Sequence, residues 1–373
     1  MTESGRGRLR GRRGDLKAWF AAAALGLVKT LLVAAVAPKA ALSKAARHQD
    51  RGRGPREQGD QRGRNADSPN AIPRLGWKDI AWRVYSSVQE DRLLLVAAGV
   101  TFYALLAIFP ATAALVTLYG LFFDVSTIGE HLRLLSGIMP EGAVGFIGEQ
   151  LTRIAAQRQA TLGFALLGSL ALALWGANAG TKSVFEALNI IYKEREKRGF
   201  VRLTLHSMAF TLGGLAFALI GIGTIVAVPV ALNLLGVPAK SAASLLSLSR
   251  WPLLYGVALL ALACLYRFGP SRERPQWRWV TWGSAIAAAI WIVGSALLSW
   301  YIGNFGNYNV TYGSLGAVVG LLMWTWVSTS VVLLGGEINA EIEHQTEKDT
   351  TDGAPRPRGA RGARMADDVG AAS

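Results

Sequence analysis

Asn307-Tyr308-Asn309-Val310-Thr311-Tyr312-Gly313-Ser314-Leu315 joins two apolar runs, Trp282 to Tyr301 and Leu315 to Leu334, and its reading decides the fold. Each run is about 20 residues long, enough to cross a bilayer core as a helix. The second meets no charge until Glu337, and the connection between them contains no Lys or Arg. Thr281 to Glu343 therefore reads as a transmembrane helical hairpin. Gly313 can take a positive φ that other residues resist. Tyr308 and Tyr312 can pack their rings at the membrane boundary while hydrogen-bonding there. At the far end of the hairpin, Gly335 and Gly336 leave room for a neighbour to approach Glu337.

Composition agrees with a membrane setting. Of 373 residues 51% are hydrophobic and 17% charged, yet the formal net charge is +14. In a soluble chain that excess would point to nucleic acid. Here the basic residues gather in the tails and in particular loops, which membrane orientation explains with fewer assumptions. A single cysteine, Cys264, excludes an intramolecular disulfide and any multi-cysteine metal site. His48, His131, His206 and His344 lie far apart, none at a metal-ligand spacing from another. The expectation is no metal, no cofactor and no catalytic residue.

Outward from the hairpin, the chain divides into three parts. Residues 1–76 form a basic, largely disordered extension, with Arg/Gly-rich ends and an Ala-rich apolar stretch from Trp19 to Ala37. That stretch has three readings: a signal peptide with Arg12-Arg13 as a twin-arginine echo, a seventh span, or a helix on the membrane surface. A seventh span would bury Lys29 near mid-bilayer at about 2.5–3.5 kcal/mol, and both insertion readings oppose the charge bias, so the surface helix is adopted. Residues 77–345 form the membrane domain, and 346–373 read as a disordered, Arg/Gly/Ala-rich tail.

Within the membrane domain Trp77, Ile80, Ala81, Val84, Tyr85 and Val88 recur at helical spacing, an amphipathic helix leading into the first span. That span, Leu93 to Phe123, is interrupted by Pro110, where a kink or tilt is expected. Two further amphipathic patterns follow within Asp124 to Gln159. The remaining spans are Leu162 to Ala179, Met208 to Leu235, Pro252 to Tyr266, and the two of the hairpin. The segment before the first span and the loops after the second and fourth are rich in Lys and Arg, whereas the loops after the first, third and fifth are poor. Basic loops stay cytoplasmic. The fold expected is thus an all-α polytopic membrane protein with six transmembrane helices, amphipathic helices flanking the first, and both termini cytoplasmic. Trp251, Trp279, Trp300 and Tyr301 at span ends read as an aromatic belt.

Gly176 and Gly180 form a GxxxG spacing, as do Gly316 and Gly320, which read as close helix packing within the bundle in preference to a dimer interface. Gly176 to Ser183 echoes a phosphate loop but is one residue short between its glycines and follows a membrane helix, so it is a near-miss. There is no GxSxG elbow and no HExxH. Asn309-Val310-Thr311 matches a glycosylation sequon but reads as part of a packed turn. The polar candidates for function are Glu337, Asn339 and Glu341 at the end of the last span, Asn178 and Lys182 four apart at the end of the second, and Asn189 just beyond.

Ala98-Gly99-Val100-Thr101-Phe102-Tyr103-Ala104-Leu105-Leu106-Ala107-Ile108-Phe109-Pro110 resembles the first span of the YihY/BrkB family of bacterial inner-membrane proteins. The resemblance continues through Leu188-Asn189-Ile190-Ile191-Tyr192, Tyr266-Arg267-Phe268-Gly269-Pro270, Trp282-Gly283-Ser284-Ala285, the Tyr301 to Ser314 turn, and Leu334-Gly335-Gly336-Glu337-Ile338-Asn339-Ala340-Glu341. It spans Trp77 to Glu343 and leaves both tails outside. It implies six spans and structural roles for Tyr103, Pro110 and Pro270. The family has carried a ribonuclease BN label, now regarded as a misassignment, and a virulence or serum-resistance label; its members are often described as candidate transporters. The expectation is a carrier of a lipid or lipophilic envelope component in the inner membrane. The alternative is a non-transporting scaffold or envelope-integrity factor. Expected partners are membrane lipids, envelope proteins or a second copy of the chain, and no specific nucleic acid.

Overall fold

Long apolar stretches punctuated by short charged loops leave the backbone only one way to satisfy itself in lipid, the helix. The computed structural model describes residues 61–122, 164–234, 239–305 and 316–372. Among these it contains eight α-helices: α1 (Arg74–Glu90), α2 (Leu93–Phe122), α3 (Phe164–Ile191), α4 (Phe200–Leu234), α5 (Ala239–Phe268), α6 (Trp277–Phe305), α7 (Gly316–Glu343) and α8 (Arg364–Asp367). The sole strand-like pairing among the described residues is an isolated bridge between Pro275 and Thr351. Among the described residues four helices carry segments long and apolar enough to cross a membrane: Phe200–Phe217, Trp251–Phe268, Trp277–Tyr301 and Val318–Glu343. A fifth crossing results if α1 and the start of α2 count as one bent span. The amphipathic patterns of 124–159, the surface helix of 19–37, and the turn with Tyr308, Tyr312 and Gly313 lie outside the described residues.

Helix ends differ from the expected span ends. α3 runs on to Ile191, because Phe185, Leu188 and Ile191 continue its buried face past the polar Lys182. α5 starts at Ala239, and Pro252 lies inside it rather than at its head. Pro110 likewise sits inside a continuous α2. A bend of 60° falls between α1 and α2. There Arg92 takes φ 50, a left-handed conformation that costs a non-glycine residue roughly 1–2 kcal/mol.

α2 and α3 share the most extensive helix–helix contact among the described residues. A Cβ on Gly176 would lie 2.7 Å from Cγ of Pro110, and one on Gly180 would lie 3.1 Å from Cβ of Ala107. The GxxxG spacing therefore serves packing within the chain, and the Pro110 ring fills the space that Gly176 vacates. α6 and α7 approach at Gly283 and Gly335, where a Cβ on Gly283 would meet the Gly335 carbonyl at 2.5 Å.

Three helix pairs, α2/α3, α4/α5 and α6/α7, begin and end at one face. Lys193, after α3, forms an ion pair with Asp91, before α2. His206 in α4 bonds the Phe268 carbonyl at the end of α5 (2.8 Å). Arg272, between α5 and α6, pairs with Glu343 at the end of α7 (2.8 Å). Trp279 is fully buried at this face with Ile80 and Ile342, and so is not part of an aromatic belt.

The segments read as disordered are packed where they are described. Residues 61–66 are stitched to the end of α7: Gln345 Nε2 donates to the Arg62 carbonyl (2.7 Å), and Thr346 Oγ1 to that of Ala66 (2.8 Å). Arg64 donates to the Gly370 carbonyl at 2.5 Å. The tail is held by Thr350 and Thr351 against Gln276 and Pro275, and by Arg361, which donates to the carbonyls of Glu347 (2.8 Å) and Lys348 (3.1 Å). Asp349 accepts from Thr351 and from the Arg356 N–H; burial alone would raise its carboxyl, but these bonds outweigh burial and lower it. Polar side chains and main-chain carbonyls, rather than apolar residues, make these contacts.

Candidate functional site

The last turns of α7 gather three carboxylates, and each meets a different fate. Glu343 is fully buried and grips Arg272 through two bonds of 2.8 Å, with Thr350 Oγ1 adding a third at 3.2 Å. Burial alone would lower the Arg272 guanidinium, but the Glu343 carboxylate more than reverses that and raises it. The guanidinium also stacks 4.0 Å over the Tyr192 ring. Glu341 accepts from Arg83 Nε (2.5 Å), Ser87 Oγ (3.3 Å) and faces His344 Nδ1 (3.3 Å). Arg83 fastens the same turn through the Glu341 carbonyl and Gln345, and reaches the tail at the Ala371 carbonyl.

Glu337, one turn earlier on the same face, is 0% exposed, and neither carboxylate oxygen has a hydrogen-bond partner among the described residues. Its polar neighbours are Glu341, Asp91, Lys193, the Tyr192 hydroxyl and the Ser87 hydroxyl, whose own bond goes to Glu341 at 3.3 Å. Asp91 Oδ2 is likewise buried without a bonded partner, and the Tyr192 hydroxyl is buried facing the Asn339 side chain, with which it stands outside strict bonding geometry. The site thus collects unsatisfied polar atoms from α7, from the end of α3 and from the α1–α2 bend. Leaving such groups buried costs a protein about 1–3 kcal/mol each, more for a charge.

Gly335 and Gly336 let this cluster form. A Cβ on Gly335 would lie 2.5 Å from that of Ala287 in α6, and one on Gly336 would lie 3.2 Å from Leu188 of α3. Asn339 locks α7 to α6, its Oδ1 accepting the Gly283 N–H at 2.8 Å. Of the other expected residues, Asn178 and Lys182 belong to a separate place, the α3–α4 interface. Asn178 accepts from Thr211 (3.3 Å), and Lys182 donates to Thr204 (2.9 Å) beneath the Phe200 ring.

Asn189 is a clamp. Its Oδ1 accepts the Ser271 N–H (2.7 Å) and its Nδ2 donates to Glu196 (3.0 Å), tying the end of α3 to two loops. Burial alone would raise the Glu196 carboxyl, but bonds from Arg198, through side chain and backbone, and from Asn189 lower it to about 2. Pro270 is buried in the turn after α5, whereas Tyr103 points outward, 49% exposed, against Phe102. Sequence reasoning missed Arg272, Arg83, Asp91, Lys193 and Tyr192. Arg272 and Lys193 are loop charges read only for orientation, and Asp91 sits at the α1–α2 bend. Arg83 lies in an amphipathic helix read for its apolar face, and Tyr192 closes a stretch quoted for the resemblance. Among the described residues no group of three or more His, Cys, Asp or Glu is placed to hold a metal ion.

Comparison with known sequences fits this architecture. The profile of the family described as Virulence factor BrkB matches residues 84–360. A ribonuclease-like protein of Bacillus subtilis, YfkH, is 30% identical over 259 residues, 68% of this chain and 90% of that protein. UPF0761 membrane proteins of Albidiferax ferrireducens and Photobacterium profundum are 28% and 25% identical, over 74% of this chain and 65% and 85% of their own lengths. No solved structure matches the chain. The match begins inside α1 and ends in the tail, so it encloses α2 to α7 and the whole Glu337 cluster: the chain is a membrane protein of the BrkB family.

Proposed function

We propose that this chain crosses the bacterial inner membrane six times, with both termini cytoplasmic, and moves a lipid or lipophilic envelope component. Glu337 supplies a charge or proton site at the inner mouth of the path. The observation that carries the reading is the Glu337 carboxylate, fully buried in an apolar helix with no bonded partner. An ionisable group that a fold leaves uncompensated inside a membrane helix is a functional candidate by default. The six-span count is supported by the three helix pairs that start and end at one face. Asp91, Lys193 and Tyr192, which face Glu337 from the neighbouring elements, and Glu341, one turn on in α7, would set how readily it exchanges a proton. No ribonuclease activity is proposed for the chain, because the clustered ligands that metal-assisted phosphodiester hydrolysis uses are missing from its sequence.

The test compares inner- and outer-membrane lipid composition in a deletion strain carrying either the wild-type chain or Glu337→Gln. A lipid displaced in the deletion, restored by the wild type and not by an equally abundant Glu337→Gln, supports the reading. Full complementation by Glu337→Gln across a range of pH removes Glu337 from the mechanism. Unchanged lipids with altered envelope complexes identify a scaffold instead.

A further inference from the structure

Where α4, α5 and α6 meet the loop after α5, the surface opens into a recess of about 560 Å³ lined by Arg202, Arg272, Glu273, Arg274, Asp352 and Gly353. Its walls come from the ends of three membrane-spanning segments, which begin at Phe200 and Trp277 and end at Phe268, so it lies at the level of the bilayer interface. The charges on the wall do not cancel. Arg272 is committed to Glu343, and Asp352 to Arg267 at 2.8 Å. Arg202 and Arg274 are exposed and outnumber the remaining acid, Glu273. Among the described residues Arg202 has no ion pair, and Arg274 is held 5.2 Å over the Phe268 ring, which orients it without neutralising it. Next to Arg202 the surface turns apolar at once: Phe200 is 70% exposed, Val201 68% and Leu205 68%, with Trp277 at the opening of α6.

We infer that this recess is a binding site for the headgroup of an anionic phospholipid. Arg202 and Arg274 receive the phosphate, and the acyl chains lie along the exposed apolar face of α4. The guanidinium suits phosphate because its planar fork donates two bonds at once. A basic pocket between membrane helices at an interface is where such headgroups settle. The adjoining apolar strip selects a lipid over a free phosphate ion, since a soluble anion gains nothing from Phe200 or Leu205. The site is separate from Glu337 and stands whether or not the chain transports anything.

The test is native mass spectrometry of the purified, delipidated full chain, titrated with phosphatidylglycerol or with phosphatidylcholine of the same acyl chains. Wild type is expected to retain one phosphatidylglycerol in preference to phosphatidylcholine. Arg202→Gln/Arg274→Gln is expected to bind it about 30-fold more weakly, a factor of roughly five for each arginine. Both side chains are exposed, so the variant should elute and melt as the wild type does. Arg195→Gln, which removes an exposed charge elsewhere on the same face, should change nothing. Equal retention of the two lipids, or equal losses in the double variant and Arg195→Gln, would overturn the assignment. Displacement of the lipid by millimolar inorganic phosphate would overturn its lipid part, leaving a site for phosphate alone.

Discussion

Glu337, Glu341 and Glu343 lie within seven residues of one helix, and what separates them is the partner each one meets. Sequence spacing placed Glu337 and Glu341 on one face, and the structure keeps them there. It could not place Arg272 on Glu343, because the two are 71 positions apart and Arg272 sits in a loop whose charge reads only as orientation. A buried pair broken on one side typically costs 3–5 kcal/mol, since the survivor is left charged and alone. Arg272→Ala or Glu343→Ala should therefore destabilise the purified protein by about that amount, read as a lower midpoint of thermal unfolding in detergent. Glu341→Gln should also lower the midpoint, by stranding Arg83. Glu337→Gln, which strands nothing, should leave the midpoint unchanged or raise it. A Glu337→Gln protein that unfolds as early as the Glu341→Gln protein would mean that Glu337 has a structural partner.

The existence of the long helices was legible, since runs of apolar residues near bilayer length have few other solutions. Their ends and bends were not. Pro252, read as a helix start, sits inside α5, and Pro110 sits inside α2, where Gly176 opens room for its ring. The decisive contacts are made by glycines whose value depends on a distant neighbour. Gly283 is one: a Cβ there would lie 2.5 Å from both Cγ of Asn339 and the Gly335 carbonyl. Gly283→Val should push α6 from α7 and cost about 1–3 kcal/mol or more, as overpacking of a closed interface does. The yield of folded protein in gel filtration would show it. Between elements, the Asn189 clamp carries a pH signature. The Glu196 carboxyl falls from an ordinary 4.5 to about 2 in the folded chain, so its contribution is complete above about 4.5 and fades as pH drops towards 2. Wild type should lose thermal stability over that window more steeply than Glu196→Gln. Parallel pH profiles of the two proteins would contradict this.

At the scale of the molecule, the loop charges that suggested an orientation also prove to be neighbours. The loop after α3 touches the loop after α5: the Lys197 N–H donates to Ser271 Oγ (2.9 Å), and Arg198 to the Gly269 carbonyl (2.8 Å). The tail bridges to the second loop at Pro275 and Thr351, and residues 61–66 join the end of α7. Four basic segments in mutual contact must lie on one side of a membrane, whichever side that is. Under the orientation proposed above, in which basic loops stay inside, that side is the cytoplasm. In a Cys264→Ala background, needed because Cys264 is only half-buried, single cysteines at Arg195 and Asn307 test both statements. A membrane-impermeant maleimide should label Asn307→Cys in intact spheroplasts and Arg195→Cys only after they are opened. The reverse pattern would invert the protein while leaving the contacts intact. Labelling of Arg195→Cys and of a tail cysteine at Arg358, also exposed, from opposite sides would break the shared face itself. The six-span reading would fall with it.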